Sequence, residues 1–151
     1  MKINKIFRKE FLITLLFKQN KWHKHGVFIH TVLVVYHVIK NKRYDMIAAA
    51  FLHDIGKPIC AYQDEEDIII NEYSFTNHEE ISYQLIKNWF FISEFTKELV
   101  RHHYLIRGMI NAKRKKQIGK YNRMERIYKK LDIKFIKDLE QFLVFDDLAK
   151  K

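Results

Sequence analysis

Proline occurs once and glycine four times in 151 residues. A chain with so few helix-interrupting residues is expected to be mostly helical. Cysteine also occurs once, as Cys60. That excludes an internal disulfide, fits a reducing compartment and leaves the thiol as a packing group. Long apolar runs are missing too. The run over 27–39 contains His30 and His37 and falls short of the roughly 20 residues that span a bilayer. Residues 1–17 imitate a leader peptide, but the apolar centre is short, meets Lys18 at once and lacks a small-residue cleavage site. The expectation is a cytoplasmic protein with no membrane segment.

What is present supports one folded domain over 1–151. The chain is 48% hydrophobic and 15% aromatic, which is enough for a core and argues against disorder. Acidic residues are the scarcer sign: 18 against 28 Lys and Arg, for a formal charge of +10. Such a balance points to an anionic partner, nucleic acid first. The excess concentrates in 107–130, where ten Lys and Arg accompany one acid, Glu125. Tyr121 and Tyr128 interleave with these cations. The pattern suits phosphate-backbone binding with some base stacking, and it equally suits a solvated helix surface.

Apolar periodicity predicts helices over about 5–17, 28–40, 44–53, 78–89, 93–104 and 132–150. The second is apolar on most sides and is expected to be central. Asn77 and Ser93 are placed to cap the fourth and fifth. One section reads as strand: Ile68-Ile69-Ile70 and Tyr73-Ser74-Phe75, a short β-hairpin around Asn71-Glu72. The fold class is all-α, a helical bundle with that hairpin as an insertion.

Polar side chains of metal-binding type interrupt these apolar helices. His30 lies within the second and the pair His53-Asp54 ends the third. His78 opens the fourth, His102 and His103 end the fifth, and Asp146 and Asp147 lie in the last. A carboxylate at the apolar end of "AAAFLHDIGKP" needs a partner or a metal, because burying it alone costs several kcal/mol. Helix bundles build metal centres from side chains on facing helices. Imidazole together with carboxylate favours Mn, Fe, Co, Ni or Zn over Mg.

These motifs carry a family likeness. "LHDIGK" with "HT" upstream, followed by "NHEEIS" and "LVRHHYLIR" in that order, resembles the HD-domain metal-dependent phosphohydrolase superfamily. The likeness is strongest to the HD domains attached to bacterial tRNA nucleotidyltransferases, on "NKWHKHGVFIHTVLVV". It covers about 20–108, with a weaker tail at "FLVFDDLAK" in the helix over 132–150. No Gly-Ser followed by paired Asp-x-Asp is found, so addition of CCA ends is not expected.

The resemblance implies a divalent metal held by His30, His53, Asp54 and a late aspartate, with Asp146 favoured over Asp147. One or two ions fit the pattern. It implies that His78 and His103, with His102 as rival, hold a second ion or contact phosphate, and that Lys57 stands near the phosphate. Asp54 would orient or deprotonate a metal-activated water, and His23 and His25 would reach the leaving group. The expected activity is hydrolysis of a nucleotide or RNA phosphate ester, such as a 2′,3′-cyclic or terminal phosphate. Two alternatives stand beside it. One is a nucleotidase or cyclic-(oligo)nucleotide phosphodiesterase in nucleotide signalling. The other is a non-catalytic RNA-binding module with a structural metal.

Overall fold

The structure is a computed structural model and describes residues 24–150. The helix expected over 5–17 and His23 lie outside the described residues. The described residues form nine α-helices and no sheet. They are α1 (Val27–Lys40), α2 (Ile47–Leu52, entered through a 3-10 turn at Tyr44–Met46), α3 (Lys57–Cys60), α4 (Glu65–Ile70), α5 (His78–Ile86), α6 (Glu94–His102), α7 (Leu105–Arg114), α8 (Ile118–Tyr128) and α9 (Ile133–Leu148). None is long and apolar enough to cross a membrane.

Local chemistry sets several of the boundaries. The Ser93 side chain accepts from the Thr96 amide and caps α6, and the Asp132 carboxylate accepts from the Lys134 and Phe135 amides to cap α9. Asn77 does not cap α5. Its backbone is left-handed, with φ of 61°, whereas a capping side chain needs an extended backbone to reach the following amides. The basic segment is a helical pair, α7 and α8, joined by a turn in which Lys116 is left-handed.

The expected hairpin is not formed. Ile68, Ile69 and Ile70 belong to α4, and only an isolated bridge joins Tyr62 to Ser74. Three β-branched residues in a row read as strand, but their flanks decide otherwise. The Asp64 carboxylate accepts from the Asp67 amide at 2.8 Å. Glu65, Glu66 and Asp67 place negative charge at the positive end of the helix, and left-handed Asn71 closes it. The three isoleucines remain exposed.

The core is built from one face of each long helix. Val34 and Val38 of α1, Ala49 and Ala50 of α2, Leu85 and Ile86 of α5, Leu99 and Val100 of α6, and Leu139, Phe142 and Phe145 of α9 are buried together. The helix expected to be central is one-sided. His30, Val34 and Val38 face inward at four-residue spacing, while Phe28, Ile29, Val32, Tyr36 and Ile39 are exposed. Arg43 ties the turn after α1 to α9, with Nη2 at 2.8 Å from Asp138 and 2.7 Å from Asp45.

The turn between α2 and α3 passes directly over α5. Ser82 is fully buried there; its hydroxyl donates to the His53 carbonyl at 2.7 Å and accepts from the Gly56 amide at 2.9 Å. A Cβ on Gly56 would come within 2.5 Å of the His78 carbonyl and 2.7 Å of the Ser82 amide. These are backbone atoms, so neither can swing away. Gly56→Ala is therefore expected to lose about 1–3 kcal/mol of stability, read as a lower urea midpoint at unchanged slope.

Candidate metal centre

Five separate pieces of chain deliver polar groups to one buried point. α1 supplies His30, the turn after α2 supplies His53 and Asp54, the first residue of α5 is His78, the residue after α6 is His103, and α9 supplies Asp146. His30, His53, Asp54, His78 and His103 are all buried. Asp54 is at the middle. Its Oδ2 lies 3.2 Å from His53 Nε2, 3.7 Å from His30 Nε2 and 2.6 Å from Lys57 Nζ. Its Oδ1 lies 3.5 Å from His78 Nε2 and 3.9 Å from His103 Nε2. Asp146 Oδ1 is 2.9 Å from His30 Nε2 and 3.9 Å from His53 Nε2.

The backbone orients the rings. His53 Nδ1 donates to the Ala50 carbonyl at 2.8 Å, His78 Nδ1 to Phe75 at 2.9 Å, and His103 Nδ1 to Val100 at 2.7 Å. Each partner is three residues back, so a local turn fixes each ring. A carbonyl only accepts, so Nδ1 carries a proton in all three, and each ring turns its Nε2 toward Asp54, as a lone pair whenever the ring is neutral. The His78 and His103 Nε2 atoms meet at 3.1 Å. His53 Nε2 is buried and makes no hydrogen bond, although a carboxylate oxygen is 3.2 Å away. Lone pairs facing lone pairs and carboxylate oxygens call for a cation.

Two ligand groups satisfy that demand, and they share a carboxylate: His30, His53 and Asp54 on one side, and Asp54, His78 and His103 on the other. The donor set therefore fits one divalent ion or two bridged by Asp54. Asp146 extends the first group through its contacts with His30 and His53.

Titration behaviour has the same origin. Burial works against charge on His53, but the adjacent Asp54 carboxylate prevails and holds its pKa above the ordinary value. Burial also opposes ionisation of Asp54, yet His53 and Lys57 hold it well below the usual carboxylate range. Asp146 is likewise held low against burial by His30 and Lys150. Burial lowers His78 despite the Asp54 charge, and burial with the neighbouring His78 and His53 lowers His103 further. Burial pushes the Cys60 thiol up to about 11, consistent with a packing role.

The rival residues stand elsewhere. His102 Nε2 faces Glu98 at 3.2 Å, and Asp147 pairs with Arg107 and with Lys150. His25 is half-buried ahead of α1 and does not line the cleft that opens on Asp54. Lys57 is buried, with Nζ against Asp54 and over the Phe75 ring at 5.6 Å. Two positioning residues escaped sequence reasoning. Ser82 holds the His-Asp turn, and its only signal was its place four residues after His78. Lys150 pairs with Asp146 from the following helical turn, at a spacing that looks like any surface ion pair.

A helical bundle with a buried His/Asp centre drawn from distant helices is the class that fold and site define. The HD domain family model matches residues 27–134, and the chain belongs to that family. The match ends before Asp146, which enters the centre on geometry alone. No curated protein and no solved structure matches the chain significantly.

In the chelated protein, His78 and His103 have folded pKa values below the unfolded value of about 6.5, so the unfolded chain takes up protons first on acidification. Their contribution to stability falls as the pH drops through that range. His53, raised, works in the opposite direction. His37 and His102 are lowered as well, so four lowered histidines stand against one raised, and the thermal midpoint is expected to fall between about pH 7.5 and about pH 5.5, and again below about pH 4 as Asp54 and Asp146 protonate. Calorimetry across this range is the check; a midpoint that rises on acidification would contradict it.

Proposed function

We propose that this protein is a metal-dependent phosphohydrolase that cleaves a nucleotide phosphate ester or a phosphate ester at an RNA end. The observation that carries the reading is the convergence of four imidazoles and two carboxylates on one buried point, with Asp54 shared between two ligand groups. Membership of the HD family supports the reaction class. The nucleotide and RNA substrates rest on the likeness to HD domains attached to tRNA nucleotidyltransferases.

His30, His53, Asp54 and Asp146 would hold one ion, and His78 and His103, with Asp54, a second. Mn, Fe, Co, Ni or Zn suits this mixed donor set better than Mg. When bound, the ion polarises a phosphoryl oxygen and lowers the pKa of a coordinated water. Asp54 stays ionised in its cationic surroundings, so its carboxylate would help hold the ion and orient the attacking water beside it. The buried Lys57 ammonium, against Asp54 at the floor of the cleft, would attract the substrate phosphate and offset charge developing on it. Neutral His103 and His78 contribute lone pairs from rings that cannot rotate, because each Nδ1 is tied to backbone. Ser82 keeps the His53-Asp54 turn seated on α5.

The test is hydrolysis of bis-p-nitrophenyl phosphate, p-nitrophenyl phosphate and 2′,3′-cyclic AMP by metal-stripped protein refilled with Mn, Co, Ni, Zn or Mg. Turnover is expected only with metal, and Asp54→Asn should reduce it by roughly 100-fold or more. Lys57→Ala should retain metal and lose about 10-fold or more in kcat/KM. Metal bound to a folded chain with no turnover of any ester would remove the enzymatic reading and leave the metal structural.

A further inference from the structure

The basic helical pair α7–α8 is not needed to build the metal centre, yet it forms one wall of the cleft above it. The cleft, about 780 Å³ in volume, has Asp54 and Lys57 at its floor. Arg107, Arg114 and Lys115 line it from α7 and its end, and Lys120 and Arg123 line it from α8. Arg114, Lys115, Lys120 and Arg123 are exposed, and none has a carboxylate partner among the described residues. Several cations elsewhere are paired: Arg43 with Asp45 and Asp138, Lys97 with Glu94, Lys129 with Glu125. The wall also has length. Arg107 and Arg114 are separated by seven residues of one helix, about 10 Å at 1.5 Å per residue, more than one phosphate group occupies.

The part of the lining drawn from α4 and the segment after it differs. It carries Glu66, Asp67 and Glu72, and beside them Tyr73 stacked with Phe75, ring centroids 6.4 Å apart. Above the floor, the exposed cations that can accept phosphates therefore come from α7 and α8, while the α4 segment offers an aromatic pair and acceptors for base amino groups. A free polyphosphate would use the cations and leave the aromatic face idle. A duplex would bring its second backbone against the carboxylates. Close packing of α7 on α8, where Gly108 leaves room for Met124, holds the two rows of cations on one surface.

We propose that this cleft binds single-stranded nucleic acid. The backbone of the strand follows Arg114, Lys115, Lys120 and Arg123, with bases turned toward Tyr73, and the strand end is delivered to Asp54. Only the delivery of a reacting end rests on the proposed hydrolase function; the binding track does not.

The experiment uses the full chain and a fluorescein-labelled, 12-nucleotide 2′-O-methyl oligouridine, which resists cleavage, read by anisotropy. Four phosphate contacts predict a slope of log affinity against log salt of about −3, at roughly −0.7 per contact for a single strand. The quadruple variant Arg114→Gln, Lys115→Gln, Lys120→Gln, Arg123→Gln should bind at least 10-fold more weakly at low salt, with a slope no steeper than about −1. A charge-matched control, Lys40→Gln, Lys42→Gln, Lys87→Gln, Lys134→Gln, should bind as the native chain does. A 12-base-pair duplex and inorganic polyphosphate should each bind more weakly than the strand. Circular dichroism confirms that both variants are folded.

Absence of strand binding overturns the proposal, as does equal loss in the control, which would mean net charge alone. Duplex or polyphosphate binding as tight as the strand also overturns it. Strand binding without ester turnover keeps the track and removes the hydrolase; ester turnover without strand binding does the reverse.

Discussion

The buried carboxylate of Asp54 is the constraint on which the other parts of this structure depend. An ionised group with almost no solvent access costs several kcal/mol unless cations or hydrogen bonds surround it. The chain answers with one ammonium and four imidazoles, brought from positions 30 to 103 along the sequence. Each imidazole has its own anchor: a carbonyl three residues back for His53, His78 and His103, and the Ala149 carbonyl just past α9 for His30. Loosening any of these helices leaves a charge or a lone pair unmatched, so the helical packing and the centre stabilise one another. The fully buried Phe142 shows the coupling, because its ring lies against both His53, at 5.5 Å, and His103, at 6.5 Å.

Much of this was legible because the relevant signals are local. "FLHDIGKP" puts a His-Asp pair at the end of an apolar helix, and helix-end position is what lets a side chain turn inward while its Nδ1 finds a carbonyl one turn back. "NHEE" and "VRHH" repeat the device at a helix start and a helix end. Other features depend on distance or on competing rules. Adjacent residues in α9 point about 100° apart, so periodicity alone could not separate Asp146 from Asp147. In the structure Asp146 faces His30, and Asp147 faces Arg107. The hairpin expectation followed β-propensity at Ile68–Ile70, which an N-cap and helix-end charges override. The reading of α1 as central followed its overall hydrophobicity, but burial follows the spacing of His30, Val34 and Val38.

The charge of +10 is distributed unevenly, and the distribution carries more information than the total. Near the buried centre, charges are paired and oriented. On α7 and α8, Arg114, Lys115, Lys120 and Arg123 are exposed at the cleft and have no carboxylate partner among the described residues. A substrate that is small and singly charged would use the first region only, while a long anion would engage both. On the proposed reading, the fold would separate chemistry, at the His/Asp cluster, from selection, at the basic wall of the cleft.

The central claim is that the cluster around Asp54 is a metal centre. Anomalous X-ray diffraction from crystals grown with Mn²⁺ tests it most directly. The account predicts a strong anomalous peak bounded by His30, His53, Asp54 and Asp146, with a second between Asp54, His78 and His103 if two ions bind. A well-ordered cluster with no anomalous density at Asp54, and manganese only on the surface, would contradict it.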